Sequence, residues 1–151
     1  MLPTAHDALD SATPRFAEGA LGLEVREVMT SGVVSIPDDA MLEEAIDLMG
    51  ASGVHGILVV GRRTGTPLGW VTTRGLLGLI GIGGGTPLTE AITEEAKAIE
   101  PTASLRSAVY ALSFPGVTRL LVRRRDEIEP EGVITDYDVT VRATRLSRHP
   151  A

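Results

Sequence analysis

Apolar positions along the chain change period several times, and each change marks an element. Val33-Val34-Ser35-Ile36 is a short extended run stopped by Pro37. Over residues 40–51, Met41, Leu42, Ala45, Ile46, Leu48 and Met49 recur at helical spacing, while Glu43, Glu44 and Asp47 fall on the other face. Asp39 is the expected N-cap, because its carboxylate can accept amide hydrogens of the first turn. Gly56–Val60 and Leu68–Thr72 read as two strands of a hairpin around an Arg62–Gly65 turn. Residues 73–79 then predict a short closing helix. Upstream, Phe16, Ala20, Leu23 and Val28 predict a lead-in helix within residues 16–29, which Gly19 and Gly22 weaken.

The same order then returns. Lys97-Ala98-Ile99 reads as a strand, and Thr102 as the cap of a helix through Leu105, Ala108, Val109 and Leu112. Arg119–Arg123 and Gly132–Thr135 form a second hairpin, and residues 136–144 a last helix. The return is a repeat in register: Gly69, Trp70, Val71 and Thr72 recur as Gly132, Val133, Ile134 and Thr135, 63 positions on. Thr30 and Thr93, Ile36 and Ile99, Leu42 and Leu105, Ala45 and Ala108, Gly53 and Gly116, and Leu58 and Leu121 keep that shift without a gap. A unit this small buries too little surface alone, so it must pack on its copy across a pseudo-twofold seam. Clefts at such a seam are where ligands sit. The expected layout is a tail over residues 1–15, a first repeat with its lead-in helix over 16–80, a Gly-rich linker over 81–88, a second repeat over 89–147 and a tail over 148–151.

Composition narrows the chemistry. Hydrophobic residues make up 43% of the 151, but aromatic ones only 3%, so the core must be aliphatic. Few stacking platforms and a formal net charge of −6 argue against a nucleic-acid partner. Absence of cysteine excludes disulfides, thiolate metal sites and cysteine nucleophiles. No apolar stretch approaches the length of a membrane span, and no secretory signal is visible. A cytoplasmic protein without a membrane partner is the expectation.

Candidate chemistry gathers near the second hairpin. Asp138 opens the last helix and is either its N-cap or a ligand contact; an ionised carboxylate accepts from two hydroxyls at once. Thr135 is an ordinary strand-end hydroxyl or a donor facing a ligand. Arg119 is a surface arginine with a carboxylate partner or a fork of donors for phosphate. Arg123, Arg124 and Arg125, followed by Asp126, Glu127 and Glu129, read as a solvated, self-neutralising turn, and Arg142, Arg145 and Arg148 as complements of a helix dipole. Gly81-Ile82-Gly83-Gly84-Gly85 is no phosphate loop, since no Lys-Ser/Thr follows. It reads as the linker, with Thr86 capping a short segment that has Pro87 in its first turn. His55 lacks a carboxylate or serine at useful spacing and reads as structural. No nucleophile, metal set or acid–base pair can be assembled, so the chain is not expected to be an enzyme.

Val28-Met29-Thr30 leading into Val33–Pro37, the helix over 42–49, and Gly-x-x-Thr-x-x-Asp at Gly132, Thr135 and Asp138 together resemble a tandem pair of cystathionine-β-synthase-type (CBS) domains. The resemblance covers residues 25–145. It implies an α/β (α+β) fold of two pseudo-twofold-related β-α-β-β-α repeats packed through their small sheets. It also implies a regulatory module, commonly a homodimer, that binds AMP, ADP, ATP or S-adenosylmethionine between the repeats and signals to a regulated protein. By resemblance Asp138 and Thr135 hold the ribose and phosphates, Arg119 the phosphates, and Lys97, Ala98, Ile99 and Ile134 the base side, with Thr93 a further ligand-binding residue. No cofactor is implied beyond that ligand, with Asp136 and Asp138 placed to help a magnesium ion on a polyphosphate. The first repeat departs from the pattern, with Gly75 and Gly56 at the aspartate and arginine positions, and Thr72 alone remains. Trp70 either fills the vestigial base pocket or stacks on a ligand. The other reading of this decay is a dimerisation or protein-interaction module whose clefts hold no ligand.

Overall fold

A computed structural model describes residues 17–81 and 85–148. Phe16, both tails as drawn above apart from Arg148, and residues 82–84 of the linker lie outside it. The lead-in is a 3-10 turn, Glu18–Gly22, followed by the short helix α1, Val25–Val28, rather than one continuous helix. Strands β1 (Thr30–Ser31) and β2 (Ser35–Pro37), helix α2 (Leu42–Ser52), strands β3 (Gly56–Val60) and β4 (Pro67–Thr72), and helix α3 (Thr73–Leu76) complete the first half. After a 3-10 turn at Leu88–Ala91 the second half runs through β5 (Ala98–Ile99), α4 (Leu105–Leu112), β6 (Arg119–Val122) and β7 (Gly132–Thr135). A π-helical turn, Asp138–Arg142, then feeds helix α5, Ala143–Arg148, so the last helix extends past its expected end.

Both central helices begin later than the sequence suggests. Met41, not Asp39, is the N-cap of α2, and the Glu44 carboxylate accepts the Met41 N–H at 2.9 Å. Asp39 instead accepts from Arg62, whose guanidinium holds the Asp39 carboxyl below its ordinary value. In the second half Ser104, not Thr102, caps α4, its hydroxyl accepting the Ser107 N–H at 3.2 Å. Pro37 and Pro101 push the chain into a turn before either helix can start, which moves both caps by the same amount. Pro87 likewise takes the cap position expected for Thr86.

The strands form two sheets, β2-β3-β4 and β1-β7-β6-β5, with β2 parallel to β3 and β5 parallel to β6. In the larger sheet Thr30 pairs with Val133 and Ser31 with Gly132, so β1 belongs to the second half's sheet. The lead-in follows it there. Val25 N–H donates to the Ala103 carbonyl and Leu105 N–H to the Leu23 carbonyl. Ala20, Val25 and Val28 are buried with Leu105, Ala108, Leu120, Val122, Ile134 and Ala143. The segment expected to introduce the first repeat therefore lies in the core of the second.

The exchange is reciprocal. Leu88 and Ala91, which stand 63 positions after Val25 and Val28, are buried with Ile36, Leu42, Ala45, Met49, Ile57, Val59 and Val71 of the first half. Thr93 N–H and Trp70 N–H bond Trp70 and Glu94 carbonyls, repeating at the smaller sheet what β1 does at the larger one. Between the two cores a third cluster, Leu58, Trp70 and Leu121 with Val33, Ala96 and Val133 around it, forms the seam. Fully burying each such aliphatic side chain contributes about 1.5–3 kcal/mol, so the exchanged residues and the seam bind the halves tightly.

Candidate functional site

Several strand ends meet at the seam: β3 starts at Gly56 and β6 at Arg119, and β4 and β7 end at Thr72 and Thr135. On one side lies a cleft of about 600 Å³, bounded by Thr30–Val34 of the first half, His55 and Gly56 at the start of β3, Trp70, and Arg119, Thr135, Asp136 and Tyr137 of the second half. That volume falls in the range of sites for small organic ligands, about 300–1,000 Å³. Its walls come from both halves because β1 has crossed to the sheet that ends in Thr135.

Thr135 and Arg119 both border the cleft. Thr135 ends β7, and its hydroxyl accepts the Asp138 N–H at 3.2 Å. Asp138 is 3% exposed and returns the bond, accepting the Thr135 N–H at 3.0 Å, while Arg142 Nη1 lies 3.3 Å from its other oxygen. The carboxylate is thus engaged behind Thr135 and is not among the residues bounding the cleft. Arg142 also donates to the Met29 carbonyl and the Thr30 hydroxyl, so it ties the exchanged strand to the last helix rather than complementing a helix end. Arg124 pairs with Glu131 within the turn that joins β6 to β7.

Arg119 crosses the seam. Its guanidinium carbon lies 5.6 Å from the Trp70 ring centroid, and a Cβ built on Gly56 would overlap its Nη1. Glycine at 56 is therefore what makes room for the arginine of the other half. Trp70, 1% exposed, fills the seam, and its Nε1 has no hydrogen-bond partner.

Four expectations place differently. Ile134 is fully buried in the second core and does not border the cleft. Lys97, Ala98 and Ile99 do not border the Thr135 cleft: the Lys97 ammonium lies over Phe114 at 5.7 Å, and Ala98 and Ile99 line a shallow cavity with Arg123 and Arg125. Thr93 stands against Thr72, hydroxyl to hydroxyl at 3.5 Å, on the far side of the seam. Thr72 caps α3, accepting the Gly75 N–H at 3.0 Å. The cause is the strand exchange, which gives the second half's signature the first half's leading strand and the reverse. His55, Ser31 and Gly32 are the cleft residues that motif reasoning missed. The signal for them is the 63-residue shift itself, which pairs His55 and Gly56 with Thr118 and Arg119.

Residues 25–82, in the first half, match the CBS domain model. The fold is that of a CBS pair. Solved structures bear this out. The CBS pair superposes on the protein MJ1004 from Methanocaldococcus jannaschii with a TM-score of 0.68 and 25% identity, covering 82% of this chain and 60% of that one. It thus spans less than two thirds of that relative. CBSX2 in complex with AMP matches with a TM-score of 0.67 at 23% identity, over 85% of this chain and all of that one, 100%. The CBS domain of a bacterial CNNM/CorC family Mg2+ transporter in complex with ATP matches with a TM-score of 0.67 at 21% identity, over 80% of this chain and 86% of that one. A comparison with curated protein sequences gives no match. Among the described residues no group of three or more His, Asp or Glu could hold a metal ion, and no helix is long and apolar enough to cross a membrane.

Proposed function

We propose that this CBS pair is a regulatory module that binds an adenosine-containing ligand in the cleft between Thr30–Val34 and Thr135. One observation carries the reading: a cleft of nucleotide size at the seam, bounded by a strand-end hydroxyl at Thr135 and an arginine at 119. Two solved relatives of the same fold are complexes with AMP and ATP, which supports an adenosine nucleotide over S-adenosylmethionine. Thr135, whose oxygen already accepts from Asp138, keeps its hydroxyl hydrogen for the ligand, and Arg119 faces phosphate oxygens with several donors. Asp138 orients Thr135 from behind. The base lies against Val33, Val34 and Val133, taking the place expected for Lys97–Ile99. Binding favours whichever arrangement of the halves grips the ligand more tightly, and a regulated protein reads that difference.

Calorimetric titration with AMP, ATP and S-adenosylmethionine tests the proposal. Binding by one of them, weakened about tenfold or more in Arg119→Ala through loss of a charged hydrogen bond, is the expected result. No heat with any of the three, or an Arg119→Ala variant that binds like the parent, defeats it.

A second reading has its own observation. Leu42, Ile46, Leu76, Leu77, Leu79 and Ile80 line an apolar hollow of about 710 Å³ on the helical face of the first half, where Leu77 and Ile80 are exposed. Exposed apolar patches of this kind favour association, and the homodimer expected from the resemblance is the association proposed. Sedimentation equilibrium that shows only monomer at micromolar concentration rules it out.

A further inference from the structure

The second half contains the mirror image of the ligand cleft, and there the chain satisfies itself. Glu94 occupies the position that Ser31 holds in the first half, 63 residues earlier. One oxygen of the Glu94 carboxylate accepts the backbone N–H of Thr118 at 2.7 Å and of Arg119 at 3.2 Å. The other accepts the Thr118 hydroxyl at 2.8 Å. Four unlike groups thus converge: two adjacent amides, one hydroxyl and an anion that joins strand starts on opposite sides of the seam.

In the first half the same amides belong to His55 and Gly56, and both residues border the cleft together with Ser31. Neither the His55 nor the Gly56 backbone N–H finds a protein acceptor among the described residues, although the neighbouring Leu58 N–H and Thr73 N–H do. Ser31 is exposed. The Arg119 guanidinium lies directly over Gly56, so positive charge stands beside the two free amides. The halves therefore share one anion position, filled in one and open in the other.

We infer that Glu94 is an internal ligand: it closes the second cleft, and through the pseudo-twofold it marks where the first cleft holds the anionic group of its ligand, on the amides of His55 and Gly56 beside Arg119. A phosphate group offers the same acceptor-only oxygens as the carboxylate. The identity of that ligand rests on the nucleotide reading above; the position of its anion rests on Glu94. The chain accordingly takes one ligand, not the two its duplication suggests.

Moving the acid from one half to the other tests this. Ser31→Glu places a carboxylate at the open amides, and Ser31→Gln is its uncharged control; both sit at an exposed position and leave the fold intact by circular dichroism. The expected result is one AMP per parent chain, at least about tenfold weaker AMP binding in Ser31→Glu, the cost of displacing a charged hydrogen-bonding group, and a distinctly smaller loss in Ser31→Gln, which fills the same space without the charge. Amide NMR adds a second readout: AMP shifts the His55 and Gly56 resonances of the parent, and Ser31→Glu shows that shift without AMP. In Glu94→Ser, inorganic phosphate moves the Thr118 and Arg119 amides, which it leaves unmoved in the parent. Two AMP per parent chain, equal losses in Ser31→Glu and Ser31→Gln, or AMP binding that leaves the His55 and Gly56 amides unmoved overturns the inference while the nucleotide reading stands. A parent that binds no AMP defeats AMP as the ligand instead, and an unchanged phosphate response in Glu94→Ser then overturns the role of Glu94 as well.

Discussion

Gly56 and Gly132 both lack a side chain because something else lies in the space, but what lies there differs. At Gly56 it is the far end of Arg119, and at Gly132 it is the Thr30 carbonyl of the exchanged strand, with the Met29 sulfur 2.9 Å from where a Cβ would stand. An arginine can swing aside and a strand backbone cannot. Gly56→Ala should therefore leave the melting temperature nearly unchanged and weaken nucleotide binding about tenfold, the size of one displaced charged contact. Gly132→Ala should cost about 1–3 kcal/mol of stability as overpacking does, read by urea denaturation. At this scale Thr135 and Arg119 were legible, because a hydroxyl at a strand end and an arginine beside the seam keep their place whichever leading strand adjoins them. Lys97, Ala98, Ile99 and Thr93 were not, since no residue type states which half a strand has joined.

Helices and strands were more legible than their ends. The helical stripe from Leu42 and the four hairpin strands form where the apolar periods put them, while Pro37 and Pro101 delay both caps beyond Asp39 and Thr102. The real cap of α4 is testable: Ser104→Ala removes the acceptor for Ser107 N–H and should cost about 1 kcal/mol. The short turn Leu88–Ala91 gives a sharper forecast. Read as sequence, Leu88 belongs to a linker, where truncation is harmless. In the fold Leu88 is 1% exposed in the first core, and Leu88→Ala should cost about 2–5 kcal/mol. A loss below about 0.5 kcal/mol, typical of surface substitutions, would show that the exchanged turn is not held.

At the scale of the molecule, the duplication told how many halves there are and not where each one ends. Cutting by repeat, as residues 25–82, leaves Val25 and Val28 without their partners and the first core without Leu88 and Ala91. Cutting by core, as residues 32–94, retains every buried member of that first cluster. The second fragment should show the stronger circular dichroism and a cooperative melt, and the first should show neither. Equal behaviour of the two would mean that the exchange contributes little to stability.

Exchanged arms also order events during synthesis. A nascent first half leaving the ribosome holds its α2 and hairpin, yet its interior stays incomplete until Leu88 and Ala91 have emerged. The segment Glu18–Val28 waits longer still, because its partners Leu120, Ile134 and Ala143 are translated well after Ala91. A chain stalled between those points displays the apolar surface of Val25 and Val28, and its exposure to aggregation or chaperones ends only once Ala143 has emerged.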